Sequence, residues 1–291
     1  MPSDSWKNPF ADPELTYKGK TARQRGDELI AEENRRDLEA RIAEKRKGKK
    51  PTPAAAPATE PAPGNTPPPA ASGFSIESLA DSYRISGVML DGEEHVVELD
   101  KTLLDGGNSH TQDEWVGLTQ KVPSAKLYTA MILTLYTNKD HKDSKQKALV
   151  EELKGVLKQD FISHYMMTST RVAYQPQGSD RVMQNYGQPG ETLGTKNMTG
   201  SNCWIKTGCG ADNELEALLG TNNCNQLENA FEWVSDKKPY FWRLNSKPSE
   251  EDVRAVVLGL GGNDDGFGID VDIDDDGPAR GMVASRAKKT P

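Results

Sequence analysis

Cysteine, histidine and aromatic residues are all scarce in this chain of 291 residues, at three, four and 7% respectively. Three thiols, Cys203, Cys209 and Cys224, are too few and too unevenly spaced to staple a small secreted domain, although a Cys203–Cys209 bridge is geometrically conceivable. Reduced, partly buried thiols are the expectation. The C-x5-C spacing lacks the close pairing of zinc ribbons and no histidine falls near it, so no metal is assigned. His95, His110, His141 and His164 fall on different expected elements, and no Ser or Cys stands in a nucleophile-elbow sequence. No catalytic residue and no cofactor is therefore assigned, and the chain is read as a non-enzyme. Also missing is any apolar run near the roughly 18 residues that cross a bilayer, and Met1 to Phe10 lacks the basic-then-apolar order of a signal peptide. No membrane span and a cytoplasmic location are expected. Asn197-Met198-Thr199 fits a glycan acceptor, which matters only on export.

Positive charge is short as well. Lys and Arg total 36 against 44 Asp and Glu, a net charge of -8, with a pI near 5.2. That excludes a uniformly basic nucleic-acid binder, and no nucleic-acid partner is expected. The exception is Lys45-Arg46-Lys47-Gly48-Lys49-Lys50, read as the solvated end of a helix whose cations suit the dipole. Hydrophobic residues reach only 35% and mean hydropathy is -0.72, so part of the length stays outside any core.

That part is visible. Pro51 to Ser72 is almost wholly Pro, Ala, Thr and Gly, the composition of an extended, semi-rigid linker. Before it, Thr21 to Lys47 favours helix by propensity but lacks a sustained a/d stripe, which suggests a solvated helix that docks a partner. Residues 1–73 are thus expected to be a charged helix and a disordered linker.

From Phe74 the pattern is that of a folded α+β domain. Arg84 to Leu90 and His95 to Leu99 flank Asp91-Gly92 as a hairpin. Ser124 to Tyr136 and Lys145 to Tyr165 carry apolar residues at helical spacing, so residues 74–166 are expected to be a hairpin plus a helical segment packing on the C-terminal part. Arg171 to Tyr174 and Asp180 to Met183 read as strands, Tyr186 to Asn202 as loop, and Leu215 to Val234 as a helix broken at Leu219-Gly220. Tyr240 to Leu244, Val253 to Leu258, Phe267 to Ile273 and Gly281 to Ser285 read as successive strands of a loop-rich, antiparallel end. Trp233, Tyr240, Phe241 and Trp242 are read as core beneath them.

The chemistry worth weighing lies in Gly259 to Asp276. On a strand, Asp270, Asp272 and Asp274 share one face and Val271 and Ile273 the other, so mutual repulsion prepares the acidic face for a positive partner. Asp272-x-Asp274-x-Asp276-Gly277 opens like an EF-hand loop, but Val283 stands where the bidentate Glu belongs and no flanking helices are evident. Gly259-Leu260-Gly261 follows an apolar strand as a dinucleotide fingerprint would, yet Asp264 replaces the third glycine and no helix follows. Trp115-Val116-Gly117-Leu118 copies a signature of C-type lectins, but its place at a helix start behind Asp113-Glu114 argues coincidence.

Three stretches carry a family resemblance: Tyr240-Phe241-Trp242-Arg243-Leu244-Asn245-Ser246-Lys247-Pro248, then Val256 to Gly259, then Gly277-Pro278-Ala279-Arg280-Gly281-Met282-Val283. They resemble the variable proteins diversified by retroelements, whose C-terminal domain is of the C-type-lectin type, related to the formylglycine-generating enzyme fold. In that family an error-prone reverse transcriptase substitutes bases at template adenines, and the altered residues form an exposed ligand-binding surface on a constant scaffold. The resemblance implies a C-type-lectin-like ligand-binding domain over 167–288, with a variable-type segment near 257–284. It also implies a constant frame that includes Trp242, Arg243, Asn245, Arg280 and Gly281. Asn263, Asp264, Asp265, Phe267, Asp270, Asp272, Asp274 and Asp275 would be the contact residues for a protein or other ligand. Two alternatives use the same acids: a calcium- or metal-dependent carbohydrate-binding or hydrolytic protein, and a structural component such as a virion or assembly protein.

Overall fold

The computed structural model describes residues 73–259, 266–271 and 276–287. The helix expected over Thr21 to Lys47 and the linker over Pro51 to Ser72 lie outside the described residues. Strands β1 (Ser75–Ser78), β2 (Ser82–Leu90) and β3 (Glu93–Leu103) make an antiparallel meander. Asp91 and Gly92 supply the two positive φ angles, 54° and 77°, that a two-residue hairpin turn needs. Tyr83 and Ile85 alternate inward, and a bulge at Gly87, φ 79°, returns Val88 to the same buried face. The last strand, β11 (Arg280–Arg286), pairs antiparallel with β3 and completes a four-stranded sheet.

A second sheet has seven strands: β4 (Tyr165–Tyr174), β5 (Asp180–Gln184), β6 (Thr192–Lys196), β7 (Cys203–Trp204), β8 (Pro239–Trp242), β9 (Asp252–Gly259) and β10 (Phe267–Asp270). Their spatial order is β6-β5-β4-β9-β10-β8-β7. The expected antiparallel end needs one correction, because β10 runs antiparallel to β9 but parallel to β8. The long return from β8 through β9 supplies the connection that a parallel pair requires. β6 replaces part of the expected loop: its sequence, Thr-Leu-Gly-Thr-Lys, has no apolar alternation, and it sits exposed at the sheet edge.

Five helices occur among the described residues: α1 (Gln112–Leu118), α2 (Ala125–Thr137), α3 (Ser144–Ser163), α4 (Asp212–Leu219) and α5 (Cys224–Ser235). The starts of α1, α2, α3 and α5 are capped by Thr111, Ser124, Asp143 and Asn223, whose side chains accept backbone N–H bonds, while α4 ends at Gly220 in the left-handed region. α2 touches β2 of the first sheet and β4 and β9 of the second; α3 touches β1, β4 and β9. Both helices are therefore held between the sheets. α2 is apolar almost all round for this reason, burying Leu127, Tyr128, Met131, Ile132 and Leu135.

One apolar cluster joins Ile85, Val97 and Leu99 of the first sheet to Leu153, Leu157 and Phe161 of α3 and to Val256, Leu258 and Phe267 of the second. Each such side chain contributes about 1.5–3 kcal/mol of burial. A smaller cluster, Trp115, Val122, Met167, Val257 and Ala279, covers the opposite face of β4 and β9, with the Trp115 indole donating to Gly277 O at 2.9 Å. The division expected between 74–166 and 167–288 falls inside this construction: β4 spans it, and β11 returns to β3. Among the described residues no helix is long and apolar enough to cross a membrane.

Candidate functional site

The two expected contact residues that are described are both buried. Phe267 is fully enclosed, stacked on Phe231 and edge-on to Phe161, each with ring centroids 5.0 Å apart. Asp270 is 5% exposed, at the end of β10, on the opposite face. The correction is physical: the alternation expected to sort wet from dry acts on a central strand covered on both faces, so neither side of β10 is a surface. Asn263, Asp264, Asp265, Asp272, Asp274 and Asp275 lie outside the described residues, as do the alternating acids beyond Asp270. Val271 is tied in place, donating its N–H to Trp242 O at 3.1 Å while its carbonyl accepts from the Tyr174 hydroxyl at 3.2 Å.

What the sequence presents as core aromatics is divided by the sheet. Only Phe241 is fully buried; Tyr240 and Trp242 turn to the other face of β8. In register, Trp204 pairs with Tyr240, Tyr240 with Gly268 and Gly268 with Gly259, while Trp242 pairs with Asp270 and Asp270 with Val257. A row of rings results, with Trp204–Tyr240 centroids 4.9 Å apart at 81° and Tyr240–Trp242 centroids 4.7 Å apart at 55°. Trp204 is 41% exposed. Glycine keeps the neighbouring floor low: a Cβ at Gly259 would stand 2.2 Å from His164 O, and one at Gly266 would stand 2.9 Å from the Trp204 ring. Trp233 lies apart, edge-on to Tyr136 at 6.0 Å with the Lys154 ammonium 5.3 Å from its ring.

Beside Trp204 a cleft of about 220 Å³ is lined by Ile205, Lys206, Glu228 and Lys238. Glu228 accepts from Lys238 at 3.1 Å, and this hydrogen bond, reinforced by the Coulomb attraction of Glu228 and Glu232, holds the Lys238 ammonium above its ordinary pKa. The ring row therefore has cations at one margin, and β10 and β9, the strands that adjoin the acidic run in the sequence, pair on its other side.

Three ionic clamps, two of them buried on both sides, hold the strands. Arg280 donates to both Asp160 oxygens at 2.6 and 2.8 Å and to Asp100 O at 2.8 Å. Burial opposes its charge, but Asp160, aided by Tyr128 and Tyr83, raises its pKa. Arg243 pairs with Glu214 at 2.9 Å and donates to Ser201 O at 3.1 Å. Lys247 reaches the buried Asp180 at 2.5 Å, which also accepts from Met198 N and Gln175 N at 2.7 and 2.8 Å. Of the expected frame residues, Arg243, Arg280 and Gly281 are buried, Trp242 is half-buried and Asn245 is exposed.

The three thiols are free, as expected, but they converge. Cys209 Sγ lies 3.5 Å from Cys224 Sγ, and the Cys224 thiol donates to Asp212 Oδ1 at 3.1 Å. Cys203 interacts with Cys209; burial and then Cys209 push its pKa up to about 11, while burial, Asp212 and Cys209 push Cys224 up as well. Spacing within the sequence missed this group because its closest pair is separated by α4 and a turn rather than by a short motif. Among the described residues, Cys209, Asp212 and Cys224 are the only group of three side chains arranged to share a cation. No protein-family model matches the chain, and no curated protein or solved structure matches it.

Proposed function

We propose that this chain is a non-catalytic recognition protein of the retroelement-diversified type. Its lectin-like domain binds a protein or other ligand across the Trp204–Tyr240–Trp242 row and the adjoining acidic segment. The observation that carries this reading is the division of labour in β7 and β8, beside the buried strand β10. One face is fixed by Phe241, packed with Phe267 and Ile269 in the core, while the other carries a line of rings, Trp204 exposed and Tyr240 and Trp242 half-buried, beside the strand ends that lead into residues 260–265 and 272–275. Aromatic rings on rigid strands give large contact area at low entropic cost, and acids beside them give selectivity for a basic partner.

The genomic locus tests the diversification directly. A near-copy of the segment encoding Val257 to Ala284, differing mainly at adenines and close to a reverse-transcriptase gene, is expected. Its absence would remove the retroelement reading. Protein chemistry tests the display surface itself. Ala at Asn263, Asp264, Asp265, Asp272, Asp274 and Asp275 is expected to shift stability by no more than about 0.5 kcal/mol per site. Phe267→Ala is expected to cost about 3–5 kcal/mol. Equal sensitivity of the acids and Phe267 would show that the acidic run is framework rather than display.

A further inference from the structure

We propose that Cys209, Cys224 and Asp212 hold a zinc ion at the starts of α4 and α5, with Cys203 of β7, which stands beside Cys209, swinging in as the fourth ligand. The donor set is of the right chemistry, thiolates with one carboxylate, for a four-coordinate structural zinc. The spacing also fits. Ligands about 2.3 Å (sulfur) and 2.0 Å (oxygen) from a tetrahedral zinc lie about 3.8 Å apart for S···S and about 3.5 Å for S···O. Cys209 and Cys224 are 3.5 Å apart, Cys224 and Asp212 are 3.1 Å apart, and the donor atoms of all three lie within 4.8 Å of one another. A disulfide would require the two sulfurs to close to about 2.05 Å. Round a cation, the Cys209–Cys224 and Cys224–Asp212 pairs need only a few tenths of an ångström of spreading, while Cys203, outside that group, has further to move.

The surroundings suit a cation-bound cluster of thiolates. Asp212 and Cys224 are the first residues of α4 and α5, so both helix dipoles present their positive ends to ligands that become anionic on binding. Arg243 lies within Coulomb range of Cys203, although its partner Glu214 acts on the same thiol with the opposite sign. Entry is open on one side: Asp212 is exposed, and a cleft of about 220 Å³ lined by Thr207, Gly208, Asn222 and Asn223 reaches Asp212 and Cys224. The segment so fastened is loop-rich, and Trp204 is the next residue after Cys203, so the metal would fix one end of the ring row. This inference stands apart from the recognition reading, since a zinc staple serves any function of the domain.

The test is titration of the full chain, reduced and kept free of oxygen, with Co²⁺ alone and then Zn²⁺. Expected are an intense sulfur-to-cobalt charge-transfer band and the visible bands of a tetrahedral site, saturating at one equivalent and abolished by Zn²⁺. Each single Cys→Ser variant should lower the band by about a third or more, and the double variant Cys209→Ser with Cys224→Ser should abolish it. Asp212→Asn should retain it with affinity weakened roughly 10-fold or more. Because a cysteine variant can fail to fold, thiol alkylation of the unaltered chain provides a second measurement: Zn²⁺ should slow the modification of all three cysteines together. No charge-transfer band at stoichiometric Co²⁺, unchanged alkylation with Zn²⁺, or a Cys209–Cys224 disulfide in a chain that binds neither metal after reduction would overturn the proposal.

Discussion

Replacing Asp160 with leucine tests whether the domain is the stiff support that a binding face requires. Both partners of the Arg280–Asp160 pair are nearly solvent-free, at 6% and 7% side-chain exposure, and two charge-assisted hydrogen bonds join them. Two such bonds are worth about 1.5–3 kcal/mol each, and stranding a buried charge costs about 3–5 kcal/mol. The Asp100 carbonyl continues to accept from the guanidinium, which places the expected loss in the lower part of that range, about 3–4 kcal/mol. In urea, with m about 2–3 kcal/mol/M, the unfolding midpoint should fall by roughly 1–2 M at constant m, followed by tryptophan emission. The double variant Asp160→Leu with Arg280→Met removes both charges and should recover to within about 1 kcal/mol of the parent. A single-variant loss below about 1 kcal/mol, or a double variant no better than the single, would refute the buried-clamp reasoning.

Two further outcomes follow from local geometry. Trp204→Phe is expected to change stability by less than about 1.5 kcal/mol while removing much of the acrylamide-quenchable emission in a Trp6→Phe background; Trp115→Phe, which loses its bond to Gly277, should do the reverse. Acid should destabilise the fold through its helix caps. Asp143 accepts from Gln146 N and Lys145 N, and Glu114 from Thr111 N, so both carboxyls are held below their ordinary pKa when folded. Such groups contribute stability that is fully present above the unfolded value and lost as pH falls through the folded one. Melting from about pH 5.5 to about pH 3 should show a decline that is shallower in Asp143→Asn with Glu114→Gln; an unchanged slope would count against it.

Much of the fold was legible because burial is written as periodicity. The Asp91-Gly92 hairpin, the two central helices, the break at Gly220 and strands β9 and β11 all carry local signals: a positive-φ pair, apolar residues at helical spacing, a C-terminal glycine and aliphatic runs. The pieces that escaped are those fixed by distant partners. β6 is a strand because β5 supplies hydrogen bonds, β10 lies parallel to β8 because the chain returns through β9, and Phe267 is core because α3 and α5 meet over it. The site was legible only in outline. Tyr240 and Trp242 were noticed as rings, but their separation from Phe241 depends on which face the helices cover, and Trp204 is joined to them by pairing across the chain. The thiol group is likewise a product of tertiary convergence.

The clamp on Arg280 also bears on how the chain can change over generations. Val271 is bound to β8 and β4, and β11 is anchored by Asp160 and by its pairing with β3, so the two ends of the intervening acidic stretch are fixed independently of what joins them. Closing a longer bridge between fixed posts costs only about 0.6 kcal/mol per doubling of its length. Insertions there, and not only substitutions, are expected to cost the fold little.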